Sequence, residues 1–129
     1  MTSFRDAASA WLAEDPDPKT AAELRELLAR PAGDSAVERE LEDRFNGQLE
    51  FGTAGLRGVL GAGPQRMNRV LVRKVTAGLA AYLKAKIPNA AQRGVLIGHD
   101  ARHNSRVFAE DTACVLAGLG IKSYLAHRP

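Results

Sequence analysis

Apolar residues in the first fifty positions recur at three- and four-residue steps. Phe4, Ala7, Ala8, Trp11 and Leu12 share one helical face, Leu24, Leu27 and Leu28 a second, and Val37, Leu41 and Phe45 a third. The spacing predicts three short helices. Each is preceded by a hydroxyl three residues ahead of a carboxylate: Ser3 and Asp6, Thr20 and Glu23, Ser35 and Glu38. In that capping-box form the hydroxyl accepts from a free amide and the carboxylate reaches back to the cap. Pro16 and Pro18 end the first helix, Pro31 the second, and Gly47 supplies a left-handed stop for the third. Trp11 is expected to be a buried anchor that docks this arm on the rest of the chain, in preference to a partner contact.

From Leu49 the pattern changes. Leu49, Phe51 and Thr53 alternate with polar or small residues, as a strand does. A long helix is predicted over about 69–86, with Val72, Val75, Leu79, Tyr82 and Leu83 as its apolar face. Val95-Leu96-Ile97 is a short apolar run of the kind buried on both sheet faces. A helix over about 105–119 and a strand over 121–126 complete a βαβ unit, with Phe108, Val115, Leu116 and Leu119 facing its core. The expected fold class is α/β: one mixed sheet of three or more strands (49–60, 94–98, 121–126) with helices on both faces, preceded by an arm of short helices. The expected domains are an arm, 1–48, and a partial α/β domain, 49–129.

Composition fits an ordinary globular chain: 129 residues, 45% hydrophobic and 26% charged. No apolar run approaches a membrane span. Cys114, the one cysteine, cannot form an internal disulfide; it reads as a small core residue in a reducing compartment, and the location is expected to be cytoplasmic. Charge is uneven. Residues 1–50 carry 12 Asp/Glu against 6 Lys/Arg, and residues 51–129 carry 3 against 12. The basic part suggests an anionic partner, a phosphate ester or a nucleic acid. Aromatic content of 5%, with no aromatics among the arginines, argues against a single-strand stacking platform. Arg69, Arg73 and Lys74 sit where a helix N-terminus disfavours cations, which makes sense beside an anion.

Two stretches carry candidate chemistry. The stretch from Phe51 to Gly63, opening Phe51-Gly52-Thr53-Ala54, holds five glycines, with Arg57 near the centre. Glycine lets backbone amides approach an anion, and a guanidinium offers a planar fork to phosphate or carboxylate; a strand with bulges and tight turns is the plainer alternative. It is not a Walker A loop, because no Gly-Lys-Ser/Thr follows. The second stretch, His99 to Ser105, leaves the carboxyl end of a predicted parallel strand, where open α/β sheets bind ligands. His99, Asp100 and His103 are poorly spaced for a metal. Ser105 lacks the Gly-x-Ser-x-Gly context of a nucleophile and is expected to cap its helix. Asp100 and Arg102 read as a pair that aims a loop.

Phe51-Gly52-Thr53-Ala54-Gly55-Leu56-Arg57-Gly58, followed by Arg66-Met67-Asn68, resembles the N-terminal signature of the α-D-phosphohexomutases, in the phosphoglucomutase/phosphomannomutase branch that includes phosphopentomutase-like members. Ile97-Gly98-His99-Asp100-Ala101-Arg102 with Ser105 and Phe108-Ala109 resembles the next motif, with His99 where the family usually has tyrosine. Trp11-Leu12, Asp15-Pro16, Glu40-Leu41 and Arg44-Phe45 also fit. The resemblance implies interconversion of sugar 1-phosphates and 6-phosphates (glucose or mannose) through a phosphoserine and a bisphosphorylated sugar. It implies Arg57 and Thr53 as substrate-binding residues and Asp100, Arg102 and Ser105 as their support. It also implies Mg²⁺ and a hexose 1,6-bisphosphate as cofactors of the intact enzyme, and sugar phosphate and the remaining domains as partners, with no nucleic acid and no membrane. The family's Thr-Ala-Ser-His-Asn-Pro phosphoserine motif, aspartate-rich metal loop, sugar-specificity loop and C-terminal phosphate loop do not occur in these 129 residues. The expectation is therefore an incomplete first domain, with no catalytic residue or metal ligand of its own and no activity alone. The alternative is a small non-enzymatic module that binds anions or nucleic acid.

Overall fold

The computed structural model describes residues 2–129, which form two compact units, one ending at Asn68 and the other running from Arg69 to Pro129.

The first unit opens with helices α1 (Phe4–Glu14), α2 (Pro18–Ala29) and α3 (Ser35–Phe45), with α1 packed on both of the others. Ala8, Leu24, Val37, Leu41 and Ala62 form its buried core, with Phe4, Trp11, Leu12, Leu27, Leu28 and Phe45 packed against them. Trp11 is half-buried. It packs edge-on against Phe45, with ring centroids 6.1 Å apart, and so ties α1 to α3 within the arm.

Of the three capping boxes, the first forms: Ser3 Oγ accepts from the Asp6 amide, and Asp6 returns to the Ser3 backbone. The other two do not. Asp17 caps α2, with Pro18 in the first turn, and Asp34 caps α3. In each case the aspartate occupies the N-cap, while Thr20 and Ser35 already lie within the first helical turn and cannot cap it. Thr20 bonds instead to Asp15 Oδ2 at 2.7 Å. Glu38 and Glu23 are released for other partners, Glu38 for Arg5 at 2.6 Å and Glu23 for Arg44 at 2.7 Å.

Beyond α3 the chain forms a minimal antiparallel hairpin of β1 (Phe51–Gly52) and β2 (Gly55–Leu56), paired Phe51 to Leu56 and Gly52 to Gly55.

The second unit contains α4 (Arg69–Lys86), a short α5 (Ala90–Arg93), β3 (Val95–Ile97), α6 (Ser105–Gly118) and β4 (Ser123–Leu125). β3 and β4 pair in parallel, with Leu96 beside Tyr124, so the βαβ unit is present. Ala80, Ile97, Ala109, Leu116 and Ile121 form its core.

The α/β class stands, but a single sheet of three or more strands does not. The described residues form two separate two-stranded sheets, because turns and left-handed glycines interrupt 49–60 before it can extend as a strand. Nor is the β3–β4 sheet covered on both faces. Ile97 is buried on one side, whereas Leu96 is 79% exposed and Tyr124 47% exposed on the other. Adjacent strand residues point to opposite faces, so a run such as Val-Leu-Ile does not by itself show that both are covered.

The predicted α4 stripe is also displaced. Leu71, Thr76 and Ala80 are the buried positions, whereas Leu79 and Tyr82 are exposed. Small side chains at 76 and 80 let α4 approach α6 closely, and the larger apolar residues turn outward. On α6, Ala109, Asp111 and Leu116 are buried, while Leu119 is 39% exposed. Cys114 is exposed on that helix and is not a core residue.

Candidate functional site

The glycine-rich stretch is a folded loop on the first unit. Thr53 and Ala54 form the turn between β1 and β2, and both are exposed. Gly55 comes next at φ +98°, a conformation that favours glycine and lets the chain reverse in so few residues. Arg57 lies immediately after β2 and is exposed. Thr53 and Arg57 are thus carried by one short hairpin and its exit.

A two-stranded hairpin this short is marginal by itself. The turn on its C-terminal side is closed by backbone hydrogen bonds. The Met67 amide donates to Val59 O at 2.8 Å, the Gly61 amide to Met67 O at 3.2 Å, and the Leu49 amide to Pro64 O at 2.9 Å. Asn68, 3% exposed, reaches the carbonyls of Gly61, Gly63 and Arg66 at 2.9, 2.8 and 3.2 Å.

The arm then grips the same turn. Arg44 Nη1 donates to Ala62 O at 3.1 Å, and the Ala62 amide donates to Glu23 Oε2 at 3.0 Å. Glu23 Oε1 meets Arg44 Nη2 at 2.7 Å, and Glu40 Oε1 meets Arg44 Nε at 2.7 Å. Burial of Arg44 favours its neutral form, but its hydrogen bonds to the two glutamates outweigh that and raise its pKa. Gly63, at φ +109°, lies so close to α3 that a Cβ would sit 2.9 Å from Arg44 O. These partners were not foreseen as part of the site. Glu40 and Arg44 entered the sequence reading only through the family resemblance, with no role attached, and Glu23 only as a capping carboxylate.

In the second unit, His99 to Ser105 leave the end of β3 as a locally closed loop. Asp100 Oδ1 accepts the Arg102 amide at 3.0 Å, and Oδ2 accepts Arg102 Nε at 2.7 Å. The Arg102 hydrogen bonds, foremost that of its side chain, hold the Asp100 carboxyl down at about 2.

Ser105 is not the N-cap. Asn104 holds that position at φ +65°, and Ser105 is the first helical residue, with Oγ accepting the Asp100 amide at 3.0 Å. The left-handed Asn104 turns the Ser105 hydroxyl back toward the loop instead of along the helix. Asp100, Arg102 and Ser105 are therefore brought together, as a loop closure.

The anion beside the basic start of α4 is internal. Asp111, 4% exposed, accepts Arg69 at 2.7 and 2.9 Å and Arg73 at 2.9 Å. Burial raises the Asp111 pKa, but the two arginines outweigh it and the net shift is downward.

His99 Nε2 lies 3.1 Å from Ala126 O and 3.4 Å from Arg106 Nη1; Nδ1 is buried without a hydrogen-bond partner among the described residues.

An open polar cleft of about 430 Å³ on the first unit is lined by Arg39, Glu42, Asp43, Asn46, Gln65 and Arg66 and includes none of the five predicted site residues. Among the described residues no group of three or more His, Cys, Asp or Glu is placed to hold a metal ion.

Residues 48–128 match the family model for phosphoglucomutase/phosphomannomutase, alpha/beta/alpha domain I. A probable phosphoribomutase from Schizosaccharomyces pombe is 38% identical over 130 residues, covering 98% of this chain and 21% of that protein. A phosphoglucomutase from Staphylococcus saprophyticus is 39% identical over 103 residues, 80% of this chain and 18% of its own length. A glucose 1,6-bisphosphate synthase from Mus musculus is 35% identical over 128 residues, 95% and 20%. No solved structure matches significantly. The chain belongs to the α-D-phosphohexomutase superfamily, through the first domain of the phosphoglucomutase/phosphomannomutase family. It spans about a fifth of the length of the curated relatives it matches.

Proposed function

We propose that this chain supplies the phosphate-facing hairpin of a sugar phosphomutase that interconverts 1- and 6-phosphates of glucose or mannose through a phosphoserine and a bisphosphorylated sugar. The observation that carries this reading is Arg57: an exposed guanidinium at the exit of a hairpin whose adjoining turn is fixed by the arm. Held in place, such a group stabilises charge on a phosphoryl group during transfer, and little reorganisation is needed when the charge develops. Thr53, at the turn of the same hairpin, offers a hydroxyl. Asp100, Arg102 and Ser105 shape their own loop and make no transfer chemistry themselves.

The nucleophile and the Mg²⁺ that the intact family enzyme uses have no counterpart in these residues, so the 129-residue chain alone is inactive. Its ligand is a sugar phosphate, and nucleic acid and membrane are not partners. No helix among the described residues is long and apolar enough to cross a membrane, and an exposed cysteine suits the reducing cytoplasm.

The test is a nuclear magnetic resonance titration of the chain with glucose 1,6-bisphosphate at fixed ionic strength. Shifts concentrated at 52–62 that weaken in Arg57→Lys, with no turnover in a coupled mutase assay, support the reading. A salt-dependent response to generic DNA in place of the bisphosphate would favour the anion- or nucleic-acid-binding module instead.

A further inference from the structure

We infer that Glu23, Arg44 and Asn68 are positioning residues for Arg57: they set the glycine-rich turn from which the arginine hairpin projects. The inference rests on Arg57 being the phosphate-binding group.

Arg44 uses its three guanidinium nitrogens in three directions: Nε to Glu40, Nη2 to Glu23 and Nη1 to the Ala62 carbonyl. Glu23 divides its two oxygens between Arg44 and the Ala62 amide. The peptide groups on both sides of Ala62 are therefore fixed by side chains 18 and 39 residues away in sequence. Ala62 is fully buried among Ala8, Leu24, Val37 and Leu41, so its amide and carbonyl have no access to bulk water in exchange. Asn68 closes the turn from the other end through three carbonyls.

Upstream of this clamp, β1 and β2 have two residues each, and Thr53, Ala54 and Arg57 are exposed. Nothing within so short a hairpin can hold a guanidinium to the sub-ångström tolerance that phosphate recognition requires. Taking an arginine and two carboxylates partly out of water costs desolvation, and an apolar trio would fill the same space. What an apolar trio could not do is aim the Ala62 peptide from both sides.

Two conservative variants separate aiming from bulk stability. Glu23→Gln keeps an acceptor for the Ala62 amide but loses the charge facing Arg44. Arg44→Lys keeps the charge but cannot span three directions from a single ammonium. Val37→Ala is the control: it opens a cavity in the core that Ala62 shares but removes none of the side chains that hydrogen-bond to the turn.

Affinity for glucose 1,6-bisphosphate is read by titration and stability by thermal melting. Glu23→Gln and Arg44→Lys are each expected to weaken binding about tenfold. Val37→Ala is expected to lower Tm at least as much and leave affinity unchanged. Wild-type affinity in both conservative variants, or an equal affinity loss in Val37→Ala, would overturn the inference.

If the wild-type chain does not bind the bisphosphate, the reading of Arg57 fails. The clamp is then judged alone by amide exchange. Faster exchange at 51–57 in Arg44→Lys but not in Val37→Ala supports it, and unchanged exchange in Arg44→Lys contradicts it.

Discussion

The two loops that carry the family signatures are held by opposite means. Asp100 to Ser105 is closed by partners two and five residues apart: Asp100 takes the Arg102 amide and side chain, and Ser105 takes the Asp100 amide. The glycine-rich turn is closed by partners far away in the chain, Arg44 and Glu23. A locally closed loop needs only its own residues. A turn closed by distant residues is only as well ordered as the fold that brings them to it. On the clamp proposed above, the arginine hairpin depends on the integrity of the helical arm, whereas Asp100 to Ser105 is closed by its own residues.

The sharpest way to break this comparison is to remove the long-range anchor. Arg44→Ala leaves two carboxylates and the Ala62 carbonyl without their cation. We expect a loss of about 3 kcal/mol, at the low end for a broken buried pair because both glutamates are part-exposed. Trp11, the one tryptophan, lies in this unit, so its fluorescence in a urea titration follows the unit that contains Arg44. A midpoint unchanged from wild type would mean that the clamp is ornamental.

The next effect tests a long-range charge cluster that touches neither loop. Asp111→Asn should cost about 2 kcal/mol, since Arg69 and Arg73 lose a charged acceptor. Urea denaturation followed at the amides of 105–118 reads it. Because the Asp111 pKa is lowered in the fold, its contribution is full above its ordinary 3.8 and is lost as pH falls through the lowered folded value.

Smaller effects are expected within the local loop. Ser105→Ala should cost about 1 kcal/mol by leaving the Asp100 amide without its acceptor. The exchange rate of that amide should rise, while those at the start of α6 stay as they are. Had Ser105 been the helix cap, the helix amides would respond instead.

Arg102→Ala should lower the melting temperature only slightly at neutral pH, since the pair is exposed to solvent. It should raise the Asp100 carboxyl from about 2 toward 3.8, read by carbon-13 titration. With Arg102 in place, the stability that Asp100 contributes is present above 3.8 and is lost as pH falls toward 2.

These contrasts explain how much of the molecule was legible in the sequence. The helices at 4–14, 18–29, 35–45, 69–86 and 105–118, the parallel pair around Val95 and Ser123, and the Asp100–Arg102 pairing all depend on periodicity or short-range chemistry, and all were readable. Thr20 and Ser35 misled because Asp17 and Asp34 compete for the same helix starts, and sequence spacing does not rank them. The α4 stripe misled because Thr76 and Ala80 are buried for closeness to α6, which hydrophobicity does not encode. Leu96 misled because an apolar run does not say how many faces of its sheet are covered. Glu23 and Arg44 escaped notice for the most general reason: 39 and 18 residues separate them from Ala62, and only the folded arm makes them its neighbours.

The most direct measurement is amide hydrogen exchange at Ala62 and along 51–57, compared with the Arg102 amide, in wild type and Glu23→Gln. If the turn is held from the arm, Ala62 and the hairpin exchange faster in the variant, while Arg102, bonded to Asp100 within its own loop, keeps its wild-type rate. Unchanged exchange at Ala62 and the hairpin in Glu23→Gln would contradict the account.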